Sequence, residues 1–326
     1  MLVDTGPDEC YPALRARLEK LPRDRAGRRR IDVFVVTHID HDHIGGAAQL
    51  LADKSLGLTF GDVWFNAPST RARGVKEGQG LADLLGLAER KLPWNRAFGG
   101  GLISTGQVGS VYPLPRRRGW PLLTVLSPTD DALQALFKVW DRELAKLAEP
   151  TRPRSALLPA SRGVLDVEAL AATASRRDTA VANASSIALL LEHRGHSILL
   201  AGDAVPHILE PAVKTLVADA SDLLNIDVFK LSHHGSRGNV TRSLLRTVNA
   251  AHYVVSTNGA IFGHPDDEAI ARVLVDGGRG KTVWFNHPAV RHRRWAAAAL
   301  RQQYGHEVVM SKNAAAGVTL NFGGQP

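Results

Sequence analysis

Within the stretch THIDHDHIGG, positions 38–43 hold three histidines and two aspartates in six consecutive residues. Imidazole and carboxylate together are a ligand set for Zn²⁺ or Mn²⁺, whereas a closed structural zinc site normally draws on thiolates. The chain has one cysteine, Cys10, so a cysteine-based site is excluded. A solvated polar turn is the alternative reading; it explains one His or one Asp, but not five in six positions. Four further stretches carry the same residue types. VDTG supplies Asp4 and FKLSHHGS supplies His233 and His234, while FGHPDD places His264 before a helix with Pro265 in its first turn. LLAGDA sets Asp203 directly after an apolar run, where a carboxylate is costly to bury without a cation or strong donors. Each alone has an ordinary reading as a turn or a cap. Their recurrence at the same kind of position is better explained jointly, as a hydrolase site holding two divalent metal ions.

Such a site needs strands that bring their ends together. Upstream of the cluster, IDVFVV (31–36) is an apolar, β-branched run of buried-strand type, and downstream Gly45 and Gly46 precede the helical AAQLLADKSL. The cluster therefore lies on a loop leaving a strand, where α/β proteins place chemistry. Further strands are expected near 62–66, in PLLTVLSP, and in SSIALLLEH, GHSILLAGD, IDVFKLSHHGS, AHYVVSTNG, TVWFNH, HEVVMSK and GVTLNF; SSIALLLEH and GHSILLAGD form a hairpin turning at Arg194 and Gly195. Helices are expected after a turn at Gly6-Pro7 in YPALRARLEKL, in LADLLGLAERK, in TDDALQALFKVWDRELAKLA, in EPAVKTLVADASDLL, TRSLLRTVNA and DDEAIARVLVD, and in RRWAAAALRQQY. Residues 149–180, rich in Pro, Ala, Ser and Arg, read as a loop or insertion in a single domain spanning 1–326.

A chain of 326 residues with 44% hydrophobic content can bury a substantial core. With one Cys, and with no apolar run approaching about 20 residues, the reading is a cytoplasmic protein without a membrane partner. The net charge of +8 gathers in RDRAGRRR, PRRRGW and RHRRW, which suits a polyanion such as nucleic acid but equally an arginine-rich surface.

The ordered set VDTG, THIDHDHIGG, NASSIALLLEH, LLAGDA, FKLSHHGS and FGHP resembles the metallo-β-lactamase-fold hydrolases, and within them the branch containing the nuclease-like domain of the DNA-uptake competence protein ComEC and the choline-phosphate esterases. The resemblance implies an α/β fold, a four-layer αββα sandwich of two mixed sheets. The chain opens almost inside a strand, so either the first strands of the sheet are missing from it or its start lies upstream. The family pattern is His-x-His-x-Asp-His; it falls here on His38, Asp40, Asp42 and His43, with Asp in place of the second His. By this resemblance His38 and Asp40 serve one ion, Asp42 and His43 the other, Asp203 bridges both, and His234 completes the second with His233 beside it. His41 occupies a spacer position and points away or only assists. Asn183 stands where a third His of the first site is usual, and Asp4 matches an Asp that braces the metal-binding loop.

The resemblance implies hydrolysis by a water activated between two Zn²⁺ or Mn²⁺ ions, with Asp42 orienting the nucleophile and His233 and His264 binding a substrate oxygen or protonating the leaving group. A phosphodiesterase or nuclease acting on a phosphoester, nucleic acid included, is the leading expectation. Hydrolysis of a lactone, thioester or lactam, and a non-catalytic metal-binding regulatory module, stand as alternatives.

Overall fold

The computed structural model describes residues 1–68, 92–115, 119–147, 165–219 and 222–323. The expected helix in LADLLGLAERK, part of the PRRRGW turn and residues 149–164 of the expected insertion lie outside the described residues. The chain forms two compact units, one from residues 1–106, 128–150 and 180–187, the other from 107–127, 151–179 and 188–326.

In the first unit, β1 (Leu2–Val3), β2 (Arg29–Val35) and β3 (Leu58–Trp64) form a sheet in that order, parallel throughout rather than mixed. Parallel neighbours need crossover connections. The helix Tyr11–Leu18 lies in the first crossover, and the short helices His41–Ile44 and Ala47–Ala52 lie in the second. β2 is the central strand and buries Ile31, Val33, Phe34 and Val35, consistent with its near-continuous apolar run. The core gathers Phe34, Val36, Ile44, Leu50, Phe65 and Trp140. The helix expected over 129–148 is two helices, Asp130–Lys138 and Trp140–Leu147, because Val139 leaves the helical region at φ −118°, ψ 14°. Thr129 starts the first, its hydroxyl oxygen accepting the Ala132 N–H at 3.2 Å.

The second unit is built on an eight-stranded mixed sheet: β4 (Tyr112–Pro113), β5 (Leu122–Ser127), β6 (Ala188–His193), β7 (His196–Leu200), β8 (Leu224–Lys230), β9 (Val248–Val255), β10 (Thr282–Phe285) and β11 (Glu307–Met310), in sequence order across the sheet. Pairing is antiparallel from β4 to β7 and parallel from β7 to β11. The expected β6–β7 hairpin is present, with Arg194 at φ 51° and Gly195 at φ 81° supplying the two left-handed residues of a tight hairpin turn. Leu200 pairs with Lys230 and Lys230 with Val254, so β7, β8 and β9 end at one edge and the loops carrying Asp203, His233 and His234, and His264 all leave it. Leu199, Phe229, Tyr253, Val283, Leu209 and Leu274 belong to this unit's own core.

Several expected elements differ. Residues 317–322 form no strand; Phe322 instead packs its ring on His196 and His252, at centroid distances of 4.7 and 6.2 Å. The helix expected over 210–224 spans Pro206–Lys214, and that in TRSLLRTVNA is one turn, Arg242–Leu245, because β9 takes over at Val248. Within 165–180, where a loop was expected, the helix Val167–Ala172 forms and packs on Asp267–Asp276. Among the described residues no helix is long and apolar enough to cross a membrane.

Candidate functional site

Each unit carries part of the expected donor set. In the first, β2 delivers Thr37 and His38 past its end, and Asp40 opens the helix His41–Ile44, its carbonyl accepting the His43 N–H at 2.9 Å. Asp4, at the end of β1 in a left-handed conformation (φ 56°), braces this loop. Its carboxylate accepts the Thr37 N–H at 2.7 Å, the Thr37 hydroxyl at 2.9 Å and the His43 Nδ1–H at 2.7 Å. Burial works against ionisation of Asp4, but the facing His43 and then the Thr37 N–H outweigh it and hold the carboxyl below its ordinary range.

The same network fixes both imidazoles. Because the Thr37 hydroxyl donates to Asp4, its oxygen accepts at 3.0 Å from His38 Nδ1–H, with Ser186 Oγ a further 3.4 Å contact of that nitrogen. His38 and His43, each 2% exposed, thus place their protons on Nδ1 toward these acceptors and their lone pairs on Nε2, with ring centroids 4.2 Å apart. Asp40 Oδ2 lies 3.6 Å from His38 Nε2 with its side chain 39% exposed, so the residue replacing the usual His stays beside His38. His41 turns to Asp8, Nε2 to Oδ1 at 3.0 Å. Asp42 lies in the first turn of the short helix, and Asn183 is buried in the helix Val181–Ala184.

In the second unit, Asp203 follows β7 and is 1% exposed. His233 and His234 follow β8 in consecutive left-handed conformations, φ 46° and 55°, before Gly235 at φ 84°. Non-glycine residues rarely adopt this region, and two in succession store strain of the kind found at functional sites. The turn brings His233 Nε2 to 3.7 Å and His234 Nε2 to 4.0 Å from Asp203 Oδ2. His234 Nδ1–H donates to the Ser256 carbonyl at 2.6 Å, and His233 Nδ1 contacts Asp178 Oδ2 and Asn239 Oδ1, both at 3.1 Å. Burial opposes the charged form of His233, but the carboxylates of Asp203 and Asp178 raise its pKa to about 9. His264 packs edge-on against His233 at 5.1 Å, its loop tied to the His turn by the Asp266 N–H donating to the Gly235 carbonyl at 2.9 Å and by the Arg237 N–H donating to Asp266 Oδ2 at 2.8 Å.

Asp178 and Asn239 escaped the sequence reading. Asp178 sits in the Pro-, Ala-, Ser- and Arg-rich stretch, with no strand end to mark it, and Asn239 lies beyond the HHGS motif; the one signal for Asn239 is its nearness to that motif. Asn239 Nδ2 donates to Asp178 Oδ2 at 3.0 Å and to the Asp203 carbonyl at 3.3 Å, so one amide holds both carboxylate-bearing segments. Lys230 donates to the Gly202 carbonyl at 3.3 Å, an ordinary structural contact.

The donor set suits a divalent ion: imidazoles oriented through Nδ1 and a carboxylate removed from water are the parts of a metal centre with its supporting hydrogen bonds. The family described as the metallo-beta-lactamase superfamily matches the chain over residues 1–259, which include all the expected ligands. No curated protein matches the chain.

Proposed function

Because the chain belongs to the metallo-beta-lactamase superfamily, whose members are mostly hydrolytic metalloenzymes, we propose that it is a metal-dependent phosphodiesterase or nuclease of the ComEC-like branch its variant motif resembles. The observation that carries the metal reading is the shared orientation of His38, His43 and His234, each with Nδ1 engaged by an acceptor and so turned to present Nε2 for ligation. His38, Asp40 and Asp203 are assigned to one ion and Asp42, His43, His234 and Asp203 to the other, on the strength of the motif resemblance. Bound Zn²⁺ or Mn²⁺ would acidify water and neutralise charge on a phosphoryl oxygen. The chain's own contribution is positional: Asp42 orients the attacking water by accepting its hydrogen bond, while His233, steadied by Asp178, and His264 offer N–H groups to substrate oxygens. The motif resemblance to phosphoester hydrolases supports phosphoester hydrolysis ahead of lactone, thioester or lactam hydrolysis, and the +8 charge is compatible with a phosphate-bearing substrate.

Metal analysis with a substrate panel tests this. The wild-type chain is expected to carry two ions and to cleave bis-p-nitrophenyl phosphate or single-stranded DNA but not a β-lactam; Asp203→Ala is expected to lose both metal and turnover. Full activity in Asp203→Ala would refute the bridging assignment, turnover of the lactam alone would move the substrate class, and a chain with one ion or none and no turnover would be a binding module.

A further inference from the structure

Beside His233 the second unit opens a cleft of about 490 Å³ whose lining includes Arg176, Asp178, His233, Arg237, Phe262 and His264. That volume falls within the range of small-molecule sites. Phe262 is 51% exposed, and its ring stacks on the His264 imidazole at 6.2 Å and 29°. An aromatic ring backed on one face and half open to solvent at a cleft contributes little to a core, but it offers a surface for another flat ring.

Charge narrows the ligand. The carboxylates in the lining are already engaged, Asp178 by Asn239 and His233, and Asp266 by the Arg237 N–H and His264 Nδ1. The cations are more open. Arg176 is exposed and has no ion pair among the described residues, and Arg237 carries one pair, to Glu268 at 2.8 Å. Arg291 adds a third guanidinium behind the loop, held by the Pro265 carbonyl. An aromatic platform among arginines repels a quaternary ammonium and suits a flat base joined to a phosphate, the combination by which single-stranded nucleic acid is held.

We propose that this cleft is a nucleotide subsite in which Phe262 stacks a base and Arg176, with Arg237, holds the adjoining phosphate. The assignment rests on the phosphoester reading and names its substrate as a nucleotide or a single-stranded nucleic acid. His233 belongs both to the cleft lining and to the contact with Asp203 at 3.7 Å, so a base seated on Phe262 leaves its phosphoester toward the candidate chemistry.

The test is calorimetric titration of the full chain, stripped of metal so that no turnover intervenes, with AMP, ribose 5-phosphate, phosphocholine and inorganic phosphate. AMP is expected to bind about 5- to 150-fold more tightly than ribose 5-phosphate, the span associated with stacking one base on an aromatic side chain. Phe262→Ala is expected to abolish that advantage and Phe262→Trp to keep it, while Arg176→Ala weakens AMP and ribose 5-phosphate alike. Phe262 is half exposed, so its replacement leaves the fold intact, which a thermal melt checks. Equal affinity for AMP and ribose 5-phosphate, preference for phosphocholine, no AMP binding at millimolar concentration, or an unchanged AMP affinity in Phe262→Ala would each overturn the proposal. Failure of the hydrolase reading shows up separately, in the Asp203→Ala metal and turnover measurements, and leaves the AMP titration to be judged by itself.

Discussion

At the scale of the residue, hydrogen bonds to Nδ1 orient Nε2 for the proposed ligation. Asp4 holds His43 directly and His38 through the Thr37 hydroxyl, so one carboxylate sets two tautomers. Asp4→Asn preserves size and tolerates the left-handed backbone, but it turns an amide toward His43 in place of an acceptor. Metal affinity, read by competition with a chromophoric chelator, is expected to fall roughly 10- to 100-fold, the usual effect of losing a ligand's supporting partner. Unchanged affinity would remove Asp4 from the metal-binding apparatus. Asp40 tests the departure from the family pattern. It replaces an imidazole by a carboxylate, and carboxylates favour Mn²⁺ and Mg²⁺ relative to the imidazole preference for Zn²⁺. Asp40→His is expected to shift stripped protein toward Zn²⁺ in a paired Mn²⁺ and Zn²⁺ titration, and Asp40→Ala to lose one ion per chain. The same stoichiometry and preference in all three proteins would show that Asp40 is not a ligand.

Elements matter through their ends. The in-register parallel run from β7 to β9 aligns three loops on one edge of the second unit, and the helix Asp267–Asp276 locks two of the segments that flank them. From that helix Arg272, 4% exposed, donates to the carbonyls of Arg237 at 2.7 Å, Val240 at 3.0 Å, Thr173 at 2.7 Å and Ala171 at 3.4 Å, and to Ser175 Oγ at 2.6 Å. A buried guanidinium spent wholly on backbone and hydroxyl oxygens ties the strand-less segment before Asp178 to the turn after His234. Arg272→Met keeps length and apolarity but leaves several buried carbonyls without donors, each costing about 1 to 3 kcal/mol. The expected loss is about 3 kcal/mol or more, a fall in melting temperature of roughly 6 °C or more. Hydrogen exchange is expected to rise first over residues 171–178. A melt within 1 °C of the wild type would show that the segment is held by other contacts.

For the molecule as a whole, two cores support two sheets, and stability depends also on buried groups outside the proposed ligand set. His292 is buried against Phe285, with ring centroids 4.3 Å apart, and its Nδ1–H donates to the His287 carbonyl at 3.2 Å. Burial first, with help from the neighbouring Arg291, His287 and Arg294, outweighs this hydrogen bond and depresses its pKa to about 4. The unfolded chain takes up this proton near pH 6.5, and the folded chain only near pH 4, so between these values the unfolded state binds more protons. Stability from this residue is therefore complete above about pH 6.5 and is lost as pH falls toward 4, by about 3 kcal/mol in total. His292→Phe keeps the ring stack and removes the titration, so its melting temperature is expected to fall less than the wild type's between pH 7 and 4.5. Parallel pH profiles would rule out His292 as a source of the acid sensitivity.

Strand periodicity and local turn chemistry could be read directly from the residues. IDVFVV and the strands from SSIALLLEH to HEVVMSK are apolar runs whose burial is dictated by composition, and Arg194-Gly195 marks a hairpin because two left-handed positions are needed there. The motifs also named Asp4, His38, Asp40, His43, Asp203, His233, His234 and His264 as chemically loaded, because each follows or precedes such a run. Tertiary structure alone decided what those side chains touch. Asp178 became the partner of His233 across 55 residues, Arg272 reached back about 100 residues to Thr173, and Phe262 acquired an imidazole on one face. GVTLNF kept its apolar pattern yet made no strand, and its Phe322 ring packs on His196 and His252. Local pattern fixes which atoms must leave water. Which distant partner satisfies them depends on chain crossings and loop closure, and neither has a sequence period.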